Sequence, residues 1–262
     1  MDGTLLNSQK EITRRVRSAI VAAQQQGVQV VLASGRALGG MAATIDELGL
    51  NSDEQYVLTH NASLIMKYGC KTVLRSKTLS GKDMIDLCEL ANKSGVYIHA
   101  YSTKQGLITP KHNKYSDEEA TTNNIAVKEI DFKSLDPDEE ILKVMFIDEP
   151  ERLTAAIKQL PVSLYKKYTI AQSTPNFLEF MHKDSGKGMG VAALATHLGL
   201  ESNQVVCVGD AGNDLDMIKF AGLGVAMGNA TDEIKAVANY TTASNDDDGV
   251  AHVFEKFVLT AS

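Results

Sequence analysis

What most restricts this chain is the alternation, at both of its ends, between short apolar runs and helix-like stretches. Val28 to Ala33 is one such run, ending in Ser34-Gly35-Arg36. Val205 to Val208 is another, running into Gly209-Asp210. Runs this short, apolar at successive positions and rich in β-branched residues, fit strands covered on both faces. Tyr56 to Thr59 and Gly224 to Met227 read the same way. Between them lie helix patterns. Ser8 with Glu11 reads as a capping box, after which Ile12, Val16, Ile20 and Ala23 share one face and Gly27 stops the helix. Further helices are expected over 38–48, stopped by Gly49, over 188–198, ended by Gly199, and over 214–221, 232–238 and 250–258. This rhythm is that of a parallel α/β sheet.

The middle of the chain obeys a different pattern. From about Ser80 to Phe180, longer strands at Val96–Tyr101 and Leu142–Ile147 alternate with helices, and Pro137, Pro150, Pro161 and Pro175 punctuate the segment. Ser116 with Glu119 reads as a second capping box. The expected organisation is an α/β core from 1–79 and 183–262, with an α+β unit inserted over 80–182. His99 and Tyr101 alternate on one strand, so both face a site or both face solvent. His112, Asn113 and Lys114 form a polar loop whose default is a solvated face.

Bulk properties remove several function classes. A chain of 262 residues can bury a large core. The net charge is -7, and Arg14, Arg15 and Arg17 read as a solvated helix face, so no nucleic-acid partner is expected. Cys70, Cys88 and Cys207 lack metal-ligand spacing and read as reduced thiols of a cytoplasmic protein. No apolar run reaches the length of a membrane span, and no signal peptide is recognisable.

An open parallel sheet places its ligand site at the carboxyl ends of its strands. Asp2-Gly3-Thr4, Ser34-Gly35-Arg36 and Gly209-Asp210-Ala211-Gly212-Asn213-Asp214 all fall there, and Gly186-Lys187-Gly188 begins a helix. Together they supply carboxylates, a hydroxyl, a lysine and backbone amides, an inventory for phosphate and a hard cation.

In these four segments, in this order, the chain resembles the Cof-type branch of the haloacid dehalogenase superfamily, and most of all the YidA-type sugar-phosphate phosphatases. The resemblance spans the whole chain, including a cap between the second and third motifs. It implies a Rossmann-like core with an inserted α+β cap that closes over a small phosphorylated metabolite. It implies Mg²⁺ held by the Asp2 carbonyl and Asp210, with Asp214 supporting bound water. It implies phosphate contacts from Ser34, the Gly35 amide and Asn213, charge neutralisation by Lys187, and general acid–base work by Asp2. Met1 occupies the variable position of the first motif, Arg36 contacts substrate or braces its loop, and Asn61 stands where the family has Asn-Gly-Ala. Here Ala62 replaces that glycine, which strains the turn if φ is positive.

One family residue lies outside these 262. The nucleophilic Asp would directly precede Met1, at the end of a central strand. The expectation is that the polypeptide continues upstream through that strand, and that a chain beginning at Met1 has no useful turnover. A non-catalytic phosphate-binding relative and a phosphomutase are the alternatives.

Overall fold

The computed structural model describes residues 1–259. Its first helix, α1 (Arg14–Gln25), begins later than the Ser8–Glu11 box would have it. Thr13 is the N-cap, accepting from the Val16 amide. Ser8 instead donates through its amide and hydroxyl to Asp246, at 2.7 and 2.6 Å. The Asn7 side chain accepts from the Gln9 and Glu11 amides, so a local turn wins over helix at 7–11. Beyond it, Val16, Ala19, Ile20 and Ala23 are buried as the periodicity requires, and α1 packs on the last helix of the chain.

The expected first strand is cut short. Only β1 (Leu32–Ala33) pairs, in parallel with β2 (Tyr56–Thr59). The Val30 carbonyl accepts from the Gln55 side chain instead of a ladder amide. Helix α2 (Gly39–Glu47) lies between them in sequence. β3 (Leu64–Lys67) runs antiparallel to β2, and β4 (Val73–Ser76) completes a sheet of order β1-β2-β3-β4.

The middle segment builds a six-stranded sheet of order β7-β6-β5-β8-β10-β9. Its strands are β5 (Tyr97–Ser102), β6 (Gly106–Thr109), β7 (Val127–Glu129), β8 (Ile141–Ile147), β9 (Tyr168–Thr174) and β10 (Phe177–His182). Pairing is antiparallel except between β6 and β7. Its helices are α3 (Gly81–Ser94), α4 (Lys114–Asn123), α5 (Pro150–Lys158) and α6 (Leu164–Lys167). One sheet face packs Val144, Phe146 and Phe180 with Met84 and Leu87 of α3 and Leu153 of α5. Ser116 and Glu119 do not cap α4. Asn113 does, accepting from the Tyr115 and Ser116 amides, because its short amide reaches both first-turn donors.

After residue 186 the parallel pattern resumes. α7 (Lys187–His197), β11 (Val206–Gly209), α8 (Leu215–Phe220), β12 (Leu223–Ala226), α9 (Asp232–Val237), β13 (Tyr240–Thr241) and α10 (Gly249–Phe257) follow in order. β11, β12 and β13 form a parallel sheet. Two units result. One comprises 1–34, 42–74 and 186–262, and the other comprises 35–41 and 75–185. The inserted unit is wider than 80–182 and also takes the residues just after Ser34. The last three residues of the expected 183–262 segment lie outside the described ones. Among the described residues, β1 and β11 are end strands of their sheets, and Val206 on β11 stays 43% exposed.

Candidate active site

In the first unit the expected residues gather around the end of β11. Gly209 ends that strand where a Cβ would come 2.6 Å from that of Asp214, so only glycine lets the following loop fold back. Asp214 uses one carboxylate oxygen to accept from the Asp210 and Ala211 amides, at 3.0 and 3.1 Å. Its other oxygen accepts from Lys187 Nζ at 2.6 Å. Lys187 opens α7 and is buried with its partner. Burial alone would push the Asp214 carboxyl up. The adjacent Lys187 charge and hydrogen bond outweigh that and hold it below the usual carboxylate range.

Asp210 is in the opposite situation. Burial, with the Asp214 charge adding to it, pushes its carboxyl up, although Thr4 Oγ1 donates to it at 2.5 Å. Gly3 permits this approach, since a Cβ there would meet the Asp210 carboxylate at 2.3 Å. Thr4 is a site residue to which the motif reading gave no role. Its place in Asp2-Gly3-Thr4 was the available signal.

Asp2 does not point inward with them. Its side chain is 43% exposed and forms an ion pair with Lys10 at 2.8 Å. Lys10 adopts a positive φ of 64° in the turn that displaced the expected cap. The Met1 α-amino group does lie inside. Burial, then the Lys187 ammonium, pushes it down to about 6 against the attraction of Asp214, Asp2 and Asp210. The Met1 carbonyl accepts from the amides of Leu5 and Leu6, closing 1–6 into a tight turn.

A second group is organised by a left-handed turn. His60, Asn61 and Ala62 have φ of 50°, 54° and 63°, a conformation that costs non-glycine residues energy. The turn directs the Asn61 amide to the Ser34 carbonyl at 2.9 Å. It also directs Asn61 Oδ1 to accept from Asn213 Nδ2 at 2.9 Å. Ser34 and Asn61 are buried, Asn61 to 1%. Asn61 thus links Asn213 and the Ser34 carbonyl through its own hydrogen bonds. Ala62 does sit at positive φ in place of glycine, and it packs against Gly190 of α7.

Gly35 and Arg36 belong to the second unit. Arg36 Nη1 donates to the Gly40 carbonyl at 2.9 Å, bracing its own loop. In that unit His99 and Tyr101 are buried at 0% and 2%, so both face neither solvent nor an open site. Lys114 pairs with Glu149 at 2.5 Å and His112 with Asp117 at 3.2 Å, leaving that loop engaged locally.

The donor set suits Mg²⁺. It consists of oxygen atoms, although among the described residues no group of three His, Cys, Asp or Glu is placed to hold a metal ion. Mg²⁺ keeps several waters and needs only one or two carboxylates beside phosphate oxygens. Asp210, a half-buried carboxylate disfavoured in its charged form, would gain from a cation beside it.

Comparison with known proteins gives the family. The model of the haloacid dehalogenase-like hydrolase family matches residues 1–254. The chain is 38% identical over 262 residues to the Bacillus subtilis protein named "Putative phosphatase YxeH", covering 99% of this chain and 96% of that one. It is 32% identical over 260 residues to the 5-amino-6-(5-phospho-D-ribitylamino)uracil phosphatase YcsE of the same organism, covering 99% and 94%. A crystal structure of a haloacid dehalogenase-like hydrolase from Bacteroides thetaiotaomicron superposes with TM-score 0.85 at 33% identity, covering 97% and 96% of the two chains.

Proposed function

The chain belongs to the haloacid dehalogenase-like hydrolases, and on that premise we propose that it is a Mg²⁺-dependent phosphatase of small phosphomonoesters, sugar phosphates above all. The observation that carries this reading is the Lys187–Asp214–Asp210 arrangement, in which a buried ammonium and two carboxylates converge on one loop. A phosphoryl group needs positioning and charge neutralisation more than elaborate covalent chemistry. Sugar phosphates are favoured because the resemblance points to them and because YcsE acts on a phosphorylated ribityl compound.

In this reading Mg²⁺ would be held by the Asp2 carbonyl and the Asp210 carboxylate, with Asp214 beside its water. Bound there, it supplies positive charge to the phosphoryl oxygens. Ser34 and the Gly35 amide hold phosphate oxygens, Asn213 donates to them from its seat on Asn61, and Lys187 neutralises charge that develops on transfer. The resemblance assigns the nucleophile to an Asp at the position before Met1. Its carboxylate attacks phosphorus as the ester P–O bond breaks. The Asp2 carboxyl gives its proton to the departing alkoxide, then takes one from the water that hydrolyses the aspartyl phosphate. Asp2 must exchange Lys10 for the leaving oxygen to do so.

The test compares the chain starting at Met1 with a form extended through an Asp directly before it, using p-nitrophenyl phosphate and a sugar-phosphate panel. Turnover is expected only in the extended form, only with Mg²⁺, and not in its Asp210→Asn variant. Phosphate binding without turnover in the extended form would make the protein a non-catalytic binder. Conversion of a hexose 1-phosphate to the 6-phosphate, with no inorganic phosphate released, would make it a mutase.

A further inference from the structure

The second unit contains a buried lysine that the reaction above does not use. β8 reads Ile-Leu-Lys-Val-Met-Phe-Ile and all seven residues are buried. Lys143 is the one charge in that run, 1% exposed. Removing an ammonium from water is costly unless its donors are satisfied. Register explains which face it occupies. Lys143 stands opposite Tyr101 of β5, and Met145 stands opposite His99 and, on β10, Glu179. Directly paired residues share a face, so Tyr101, Lys143, His99 and Glu179 line the side away from α3 and α5. A polar sheet face ordinarily meets solvent. This one is covered by α4, through Tyr101 Oη donating to Glu119 at 2.8 Å, and by residues 35–41.

The hold on 35–41 is specific. Lys143 Nζ donates to Glu179 at 3.0 Å and to the Gly35 carbonyl at 3.1 Å. The Ala37 amide donates to Asn123 Oδ1 at 2.7 Å. Gly39 and Gly40 press so closely on α4 that a Cβ on either would come 2.4 or 2.8 Å from Asn123 oxygens. The peptide unit is planar, so fixing the Gly35 carbonyl also fixes the Arg36 N–H on its far side. The Ser34 carbonyl is fixed in the same way by the Asn61 amide, and with it the Gly35 N–H.

We propose that Lys143, oriented by Glu179, is a positioning residue for the Gly35–Arg36 peptide, and that the Arg36 N–H set in this way joins the Gly35 N–H in binding phosphate, a role that rests on the phosphate-binding reading of Ser34-Gly35-Arg36. The ion pair keeps the ammonium charged and aimed; the Gly35 carbonyl is what it aims at.

The experiment uses the full chain and three proteins: parent, Glu179→Gln, and Lys143→Met/Glu179→Gln. The double variant removes Lys143 and its nearest carboxylate together, and Glu119, 4.0 Å from Lys143 Nζ, keeps the hydrogen bond from Tyr101 Oη. Hydrogen exchange is read at the amides of 35–41 and of β5, and inorganic phosphate with Mg²⁺ is titrated calorimetrically. In the double variant the 35–41 amides should exchange about ten- to a hundred-fold faster, the loss of one charge-assisted hydrogen bond. Phosphate should bind about ten-fold more weakly, with β5 still protected. Glu179→Gln keeps the Lys143 donor and should retain most of both properties. Unchanged exchange at 35–41 overturns the proposal. So does faster exchange with undiminished phosphate affinity. If the parent binds no phosphate, the phosphate-binding reading of the Ser34-Gly35-Arg36 segment fails and the affinity half of this proposal falls with it, while the exchange data still decide whether Lys143 holds Gly35.

Discussion

Replacing Gly190 by Ala should disrupt the packing of α7 on the left-handed turn at 60–62, and replacing Ala62 by Gly in the same chain should restore it. A Cβ at position 190 would lie 2.2 Å from the Ala62 Cβ and 2.9 Å from Leu58 Cδ2. Carbon atoms rest at about 3.5–4.0 Å, so α7 or the turn must move. Overpacking of this kind costs about 3 kcal/mol, against about 1 kcal/mol gained from alanine in a helix. The single variant should therefore lose about 2 kcal/mol. Ala62→Gly alone removes about 1 kcal/mol of left-handed strain and forfeits about 0.8 kcal/mol of buried methyl, and should be nearly neutral. The double variant moves the methyl from turn to helix. It keeps the buried area, sheds about 1 kcal/mol of strain and gains about 1 kcal/mol of propensity, against about 1 kcal/mol for the remaining approach to Leu58 Cδ2, for a net stabilisation of about 1 kcal/mol. Urea unfolding of the four chains, with equal m-values, measures the coupling. A Gly190→Ala chain as stable as the parent, or a double variant no better than it, would refute the reasoning. The same cycle should track phosphate binding, since α7 carries Lys187 and the turn carries Asn61.

Three other outcomes are expected. Asp210→Asn should abolish Mg²⁺ binding by calorimetry while leaving the unfolding midpoint unchanged or raised, because burial already pushes this carboxyl up; retained Mg²⁺ affinity would remove Asp210 from the metal site. Partial burial opposes the charge on Asp83, but Lys167, at 2.6 Å, and the Ser80 donors hold its carboxyl at about 2. Its folded value is thus depressed, so its contribution is present above the ordinary carboxylate range and lost as pH falls through about 2. The side chains are partly exposed, so the stability difference between parent and Asp83→Asn should stay below about 1 kcal/mol at neutral pH and vanish toward pH 2 in acid-titrated urea curves. Iodoacetamide at pH 8 should label Cys70, which is exposed and lowered by its hydrogen bond to Thr72. Cys207, pushed up to about 12 by burial, should stay unlabelled until the chain unfolds, as peptide mass spectrometry would show.

Local pattern carried far in this chain. The parallel rhythm of the ends, the strands expected at 56–59 and 142–147, and the loop from Gly209 to Asp214 all depend on residues near in sequence, and the structure builds them, the second strand starting at Ile141. What failed locally failed by competition between neighbours. Ser8 with Glu11 matches a capping box, but Asn7 and Asp246 offer their donors better partners. Ser116 with Glu119 matches another, but Asn113 reaches the amides first.

Other features had no local signature because they are made by residues distant in the chain. Lys143 in an apolar strand looks like an error until β5, β10 and the Gly35 carbonyl surround it. Asp2 in its motif does not reveal that Lys10 holds it outward. The motifs named Asn61 and Asn213, yet only the fold brings them within 2.9 Å across 152 residues. The sequence by itself determined which carboxylates, hydroxyls and amides stand at the strand ends, since composition and strand-end position follow from the order of residues. The tertiary structure alone decided which are buried, which are paired and which way they point. Burial and pairing are sums over neighbours from the whole chain, and those sums set the charge state and reach of each group.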